Sequence, residues 1–234
     1  MEILKFRLKG KNAFFKVPEV NTYYYFTYGN IHKVALLGMF GAIMGYQGYE
    51  HKYERYPEFY EKLKDIQISV MPEPKHGYFQ KKIQFYNNTV GYASQEMGGN
   101  LIVKEQWLEQ PDWTVCVLIQ DPESEKLADF MANRRCIYTP YLGRNNHLAD
   151  IGEVEIGKAQ PVTCEEKNLH SLVPEDVVEF DLDEMTFKYG EYLPIGLKEA
   201  TNLYEVKKFI LTDADMVQCK KDVYQIGEKN IVFY

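Results

Sequence analysis

The periodicity of this sequence predicts an α+β fold. Up to about residue 150 the apolar residues recur as strand, helix, strands, helix and strand, and beyond Ile151 only short β-like runs separated by turns remain. That order is the one expected of a ferredoxin-like core followed by a β appendage.

Each element has its own signal. Residues 2–8 (EILKFRL) set Ile3, Leu4, Phe6 and Leu8 among charged side chains, which reads as an opening strand. A basic, aromatic connection follows, with Lys9, Lys11, Asn12, Phe14, Phe15, Lys16 and then Pro18. Residues 31–46 read as a helix with Asn30 as its N-cap, apolar nearly all round and therefore buried. Gly38, Gly41 and Gly45 share one face of it. Each costs about 1 kcal/mol of helix propensity relative to alanine, so three in register imply close approach by another backbone. A second helical stretch, EFYEKLK, follows Pro57.

Strands at 66–71 and 78–86 lead into the polar loop NNTVGYASQEMGGN (87–100), and a strand at 101–108 leads out of it. Fourteen residues exceed the needs of a hairpin, and long loops in compact domains tend to be functional. After a turn at Gln110-Pro111-Asp112, Trp113, Val115, Val117 and Ile119 alternate on one face. The next helix is capped by Asp121, has Pro122 in its first turn with Glu123 and Glu125, and closes on Arg134 and Arg135. Cys136–Tyr138 reads as the start of a further strand, and later β runs fall at Glu153–Lys158, Phe187–Tyr189, Tyr204–Leu211 and Ile231–Tyr234. The reading divides the chain at residues 1–155 and 156–234, the second part a β-rich subdomain.

Composition narrows the function classes. Apolar residues make up 45% and charged residues 26% of 234, an ordinary globular mixture with enough chain for a hydrophobic core. Charge within MEILKFRLKG argues against a secretion signal, and the longest apolar stretch, Val34 to Met44, is far short of the roughly 20 residues a membrane helix needs. Cys116, Cys136, Cys164 and Cys219 are widely and irregularly spaced, which fits reduced thiols in a cytoplasm better than a metal site or disulfide framework. The net charge of −7 argues against indiscriminate nucleic-acid binding but leaves room for a local basic groove. Residues 1–16 hold five Lys/Arg against one acid, while 165–191 is strongly acidic, an asymmetry suited to gripping a polyanion at one end and meeting protein or solvent with the other. The 19 tyrosines suit base stacking as well as cores and interfaces.

No GxSxG, HExxH, P-loop or strand-linked GxGxxG is present, and the acid pairs Asp181/Asp183 and Asp213/Asp215 read as surface turns, so no metal and no cofactor is expected. Two segments stand out. In YGNIHKVALLGMFGAIMGY (28–46) a polar tip of Asn30, His32 and Lys33 starts the buried helix, where free N–H groups and Lys33 would suit a phosphate; an ordinary core helix with a charged cap fits the same residues. In TPYLGRNNHLADI (139–151), Gly143, Arg144, Asn145 and Asn146 offer backbone N–H groups, a guanidinium and amides to RNA, or form a turn with satisfied side chains.

With ALLGMFGAIMG after the first strand and PYLGRNNHLADI later, the chain resembles the CRISPR-associated RAMP family five, closest to type I-B. The resemblance spans the element order from about residue 2 to 160, the last third matching loosely. It implies a modified ferredoxin-like (RRM-like) RAMP fold with a β-hairpin thumb, here residues 78–108, tipped by Val90, Tyr92 or Met97 as an apolar wedge. It further implies a non-catalytic subunit of Cascade, the type I interference complex, that holds the crRNA 5′ handle. The expected partners are the backbone and large subunits, target DNA is met only through the complex, and readout is left to base pairing. The implied RNA-facing groups are Lys9, Lys11, Lys16, Asn30, His32, Lys33, Lys81, Lys82, Gly143, Arg144, Asn145 and Asn146. Members of one subtype cut repeat RNA with a tyrosine, lysine and histidine cluster, so a metal-independent endoribonuclease using Tyr46 and His51 is the alternative. One departure from the family stands against that: the one Lys-His dipeptide, Lys75-His76, precedes the thumb. A second, the reduction of the glycine-rich loops to a single LGR, bears on which loop residues touch RNA. A purely structural protein whose tyrosines meet other proteins is the third reading.

Overall fold

The computed structural model of the chain describes residues 1–20, 22–49, 55–163, 167–181, 183 and 185–234; His51 and Cys164 lie outside them. The chain opens with β1 (Glu2–Lys9) and the short β2 (Asn12–Ala13), then α1 (Lys33–Met44) and α2 (Glu58–Leu63). Next come β3 (Ile68–Pro72), β4 (Lys81–Asn87), β5 (Ile102–Glu109), β6 (Asp112–Leu118) and α3 (Pro122–Ala132), and β7 (Asp150–Lys158) closes this part. Four of these strands form one antiparallel sheet in the order β3-β6-β1-β7. With α1 between its first and second strands and α3 between its third and fourth, this is the ferredoxin-like topology.

Alternation explains why β1 sits at its centre. Leu4, Phe6 and Leu8 point to one face and are fully buried, whereas Lys5 and Arg7 point to the other. There Lys5 pairs with Glu155 and Arg7 with Asp112 and Glu73, so two of the five early cations are spent on the sheet's polar face. Against the apolar face lies α1, whose Leu36, Leu37 and Phe40 are fully buried, with Phe40 edge-on to Phe6 at 6.2 Å.

The glycine face of α1 has the predicted use at one position above all. A Cβ on Gly41 would lie 2.5 Å from Cβ of Phe59 in α2, so α2 packs where only glycine fits. Gly45 ends the helix at φ 81°, a left-handed conformation suited to glycine, and its N–H reaches back to the Ala42 and Gly41 carbonyls.

Several sequence expectations are corrected at element ends. The N-cap of α1 is His32 and not Asn30, since the His32 ring nitrogen accepts from the Ala35 N–H. Cys136–Tyr138 is not a strand; the Ile137 and Tyr138 N–H groups instead bond to the Ile43 and Ala42 carbonyls left open at the end of α1. Arg134 and Arg135 lie beyond α3, which ends on the Asn133 cap, and Arg134 is left-handed at φ 51°.

The loop-bearing hairpin is present. β4 and β5 pair from Lys81↔Leu108 to Asn87↔Ile102 and belong to a sheet of their own, ordered β2-β5-β4. The intervening loop is not structureless throughout, as Ala93–Gln95 makes one 3-10 turn. Tyr25 adds to the hairpin's edge through its N–H to Lys104 O and its carbonyl to Gln106 N–H.

The remaining strands are β8 (Gln160–Val162), β9 (Val173–Pro174), β10 (Val178–Phe180), β11 (Lys188–Leu197), β12 (Tyr204–Thr212), β13 (Met216–Cys219), β14 (Val223–Ile226) and β15 (Lys229–Val232). They form three small sheets, β11-β12-β9, β15-β14-β8 and β10-β13. These strands do not make a separate unit: Leu172, Leu193, Leu197 and Phe209 join the same buried cluster as Phe6 and Phe40. The division expected at residue 155 falls inside β7, a strand of the central sheet. The acidic 165–191 stretch is also less anionic than its composition, because Glu175 pairs with Lys188 and Lys208 and Asp176 with Lys207.

Gly41→Ala should lower the urea midpoint by the equivalent of about 1–3 kcal/mol, because overpacking against Phe59 outweighs the helix gain. Gly38→Ala, whose added Cβ would meet only the Phe59 ring edge at 3.9 Å, should raise it by about 1 kcal/mol. A rise in both would show that Gly41 is not a close-approach site.

Candidate nucleic-acid interface

The residues singled out in the sequence divide into an interior group and a surface group. Asn30 is fully buried; its Nδ2 donates to Gly77 O at 2.8 Å and its Oδ1 accepts from Trp113 Nε1 at 2.9 Å. His32 is buried among the rings of Phe15, Tyr28 and Tyr204, and burial lowers its pKa to about 3, so it is neutral. Lys33 is buried too, its Nζ donating to Tyr234 O at 3.1 Å, with a pKa lowered to about 8 chiefly by burial and secondarily by Lys221. The polar tip of α1 is therefore consumed inside the protein, and these three residues are corrected to structural ones. The reason is that the start of α1 is largely covered and reaches the surface only along one groove, so its end groups find partners within the fold.

Lys9, Lys11 and Lys16 are in the other group: none forms an ion pair among the described residues. Lys11 and Lys16 are exposed, and Lys16 sits 4.2 Å over the Tyr25 ring. The segment carrying them is packed against the 139–149 loop. Phe14 N–H donates to Leu142 O at 3.1 Å, and a Cβ on Gly143, at φ 81°, would fall 1.8 Å from Phe14 O. Gly143 thus permits the contact that brings two distant basic segments side by side. Asn145 and Asn146 are exposed on the same loop.

A groove of about 680 Å³ opens along this junction. Phe14, Phe15 and Lys16 form one wall, the α1 face around Gly38 forms the floor, and Tyr138, Tyr141 and Gly143 form the other wall. Tyr46, Tyr49, Tyr204 and the buried His32 are also among the lining residues. Tyr138 and Tyr141 are about half exposed, at 54% and 46%, and so are accessible to a ligand. Aromatic side chains beside Lys16, which forms no ion pair among the described residues, suit unstacked bases and a phosphate backbone. Sequence reasoning missed Tyr138, Tyr141 and Tyr204 as groove residues; the tyrosine count and the place of Tyr141 in the 139–151 segment were the available signals, because their convergence depends on the fold.

At one end of the groove Tyr46 donates to Glu123 Oε2 at 2.5 Å and accepts from Lys126 Nζ at 2.7 Å. Lys62 lies 4.1 Å over its ring. Burial first, then the Glu123 hydrogen bond, push the Tyr46 phenol up to about 12, so it is held protonated and poorly suited to act as a base.

Arg144 is not free on the loop. Its Nη1 donates to Tyr86 Oη at 2.6 Å and to Glu105 Oε2, both on the hairpin. Lys82 pairs with Glu109 at 3.3 Å, and Lys81 reaches Thr27 O at 3.5 Å. At the hairpin tip Val90, Tyr92 and Met97 are all exposed. Among the described residues no helix is long and apolar enough to span a membrane, and no three His, Cys, Asp or Glu side chains cluster as metal ligands.

A ferredoxin-like α+β core with a projecting β-hairpin beside an aromatic groove is the class that this fold and site define. No protein-family model and no curated protein matches the sequence. Solved structures of CRISPR-associated proteins share the fold. A chain of a CRISPR RNA-guided surveillance complex superposes with a TM-score of 0.56 at 16% identity, over 92% of this chain and 91% of that one. A CRISPR protein from Archaeoglobus fulgidus gives 0.54 at 10% identity, over 99% and 98%. A Cas protein gives 0.50 at 12% identity, over 93% and 96%.

The buried neutral His32 makes stability depend on pH. Its folded pKa lies below the unfolded value, so the unfolded chain binds the extra proton and stability falls as pH drops from about 6.5 toward 3. Between pH 6 and 4 the wild type should lose about 1.4 kcal/mol per pH unit more than His32→Asn, which keeps a capping acceptor but does not titrate. Parallel urea-unfolding curves for the two proteins would show that His32 is protonated in the fold.

Proposed function

We propose that this chain is a non-catalytic subunit of a type I CRISPR interference complex (Cascade), which binds the 5′ handle of crRNA and supports assembly and target DNA binding. The observation that carries this reading is the shared wall. The residue 12–16 segment that pairs with β5 of the hairpin also lines the aromatic groove and presents the unpaired Lys16. A strand held in that groove would therefore lie beside the root of a hairpin whose tip carries exposed apolar side chains. Lys9, Lys11 and Lys16 supply charge to the phosphates, Asn145 and Asn146 supply amides, and Tyr138 and Tyr141 stack on bases. Such contacts position the strand without reading much sequence, which suits a handle in a complex where base pairing reads the target. The complex would work in the cytoplasm, with the backbone and large subunits as protein partners.

The second reading, a metal-independent endoribonuclease acting on repeat RNA, is favoured by one feature: Tyr46 stands at the groove end between Lys62 and Lys126. Its raised phenol pKa and its bond to Glu123 count against a base role, and the other residue of that reading, His51, lies outside the described residues.

Incubation of the purified protein with its repeat RNA in EDTA, read on a denaturing gel, separates the two. Intact RNA, with ultraviolet crosslinks to Tyr138 or Tyr141 peptides, is the expected result; a discrete cut within the repeat would make the protein the processing nuclease. Lys16→Ala should weaken handle binding and reduce the log–log salt slope by about 0.7, the value for one contact to a single-stranded phosphate. An unchanged slope removes Lys16 from the interface.

A further inference from the structure

The hairpin β4–β5 is not part of the central sheet and is joined to the body along one edge by little backbone. β2 contributes two paired residues, Asn12↔Glu109 and Ala13↔Leu108, and Tyr25 adds a single bridge. Two strands with so few partners do not hold a fixed direction by themselves. Side chains supply further ties: Leu108 is buried in the main core, Lys104 lies over the Tyr23 and Tyr24 rings, and the hairpin face turned to the 139–149 loop is bonded to that loop.

Glu105, on β5, is at the centre of that face and only 5% exposed. Its Oε1 accepts from Tyr86 Oη at 2.8 Å, and its Oε2 accepts from Trp107 Nε1 at 2.8 Å. Both of those donors also belong to the hairpin, so they hold Glu105 in place but leave its charge unbalanced. Among the described residues the only cation paired with it is Arg144, which reaches across from the loop to Glu105 and to Tyr86 Oη at 2.6 Å, its guanidinium 5.2 Å from the Tyr86 ring. His147 of the same loop meets Trp107 edge-on at 4.5 Å and is 4% exposed, closing the far side of the cluster to water.

We propose that Arg144 is a positioning residue: through the buried Glu105 carboxylate it fixes the direction in which the hairpin projects, and it is not a phosphate ligand. Three features favour this assignment. A guanidinium already bonded to a buried carboxylate and a phenol gains little by exchanging them for a solvated phosphate. Removing it would strand a charge in a buried site, which loosens the surrounding structure as well as the single contact. The loop that carries Arg144 is itself fixed, by Leu142 N–H to His147 O at 2.7 Å and by the close fit of Gly143 on Phe14. It therefore serves as an anchor on the body for the hairpin.

Glu105→Gln keeps the shape but removes the charge; its one carbonyl oxygen can still accept from Trp107 Nε1 while its NH2 donates to Tyr86 Oη. The substitution separates the two roles by sign. As a positioning residue, Arg144 requires that Arg144→Ala and Glu105→Gln both speed amide hydrogen exchange across 81–87 and 102–109 in the free protein, by about tenfold, a local opening effect. The double variant should be little worse than either single one, as expected for partners in one interaction. As a phosphate ligand, Arg144 would be released by Glu105→Gln to bind RNA more tightly, and Arg144→Ala would lower the salt slope of handle-RNA binding by about 0.7. Unchanged exchange in both single variants overturns the proposal, and so does a lowered slope in Arg144→Ala. Only the RNA arm rests on the handle-binding reading. If the wild type binds no handle RNA, that reading fails while the exchange result still decides the role of Arg144.

Discussion

Because α1 carries apolar side chains on every side, it has to be enclosed on every side, and the rest of the molecule is arranged to enclose it. The central sheet covers one flank through Phe6, α2 covers another through Phe59 against Gly41, and the C-terminal strands supply Leu193, Leu197 and Phe209 to the same cluster. A free-standing ferredoxin-like unit ending near residue 155 would leave part of that helix in water, at roughly 25 cal/mol for each Å² of apolar surface. The β-rich last third is therefore part of the core. The enclosure also explains why the polar residues at the helix start turn inward: His32 serves as the cap in neutral form, and Lys33 finds a carbonyl at the opposite end of the chain.

Enclosure leaves one stretch of α1 only partly covered, near Gly38, where small side chains leave room beneath the aromatic rim. The groove there is made by a close backbone contact between segments more than a hundred residues apart. Gly143 lies so near Phe14 O that any side chain would collide with it, which places the 139–149 loop beside the early lysines. From the same loop Arg144 and His147 reach the hairpin. One short loop thus forms a groove wall with one end and anchors the projection with the other, so that a strand in the groove and the hairpin beside it share a common support.

Charge is partitioned in the same manner. The excess of early cations divides between Lys5 and Arg7, which pair with acids on the outer face of the sheet, and Lys9, Lys11 and Lys16, which form no ion pair among the described residues. In a protein of net charge −7, these three give a local field that the total conceals. The acidic stretch near residue 175 is likewise moderated by lysines from β11 and β12.

The sequence by itself determined the elements whose signals are local. Alternation placed β1 and β6, the Asp121-Pro122 start placed α3, the unusual glycine spacing in α1 marked the approach of α2, and loop length marked the hairpin tip. Those signals need only neighbours in the chain, since side-chain periodicity and capping are decided within a few residues. The tertiary structure alone decided which polar residues are available to a ligand. Asn30, His32 and Lys33 look on paper like a phosphate site and Arg144 like a free guanidinium, yet each is engaged with residues tens or hundreds of positions away. Tyr138, Tyr141 and Tyr204, of which only Tyr141 falls in a segment the sequence marks for a ligand, meet in one groove. A side chain's exposure depends on what the rest of the chain brings against it, and such long-range contacts leave no periodic trace in the residues that make them.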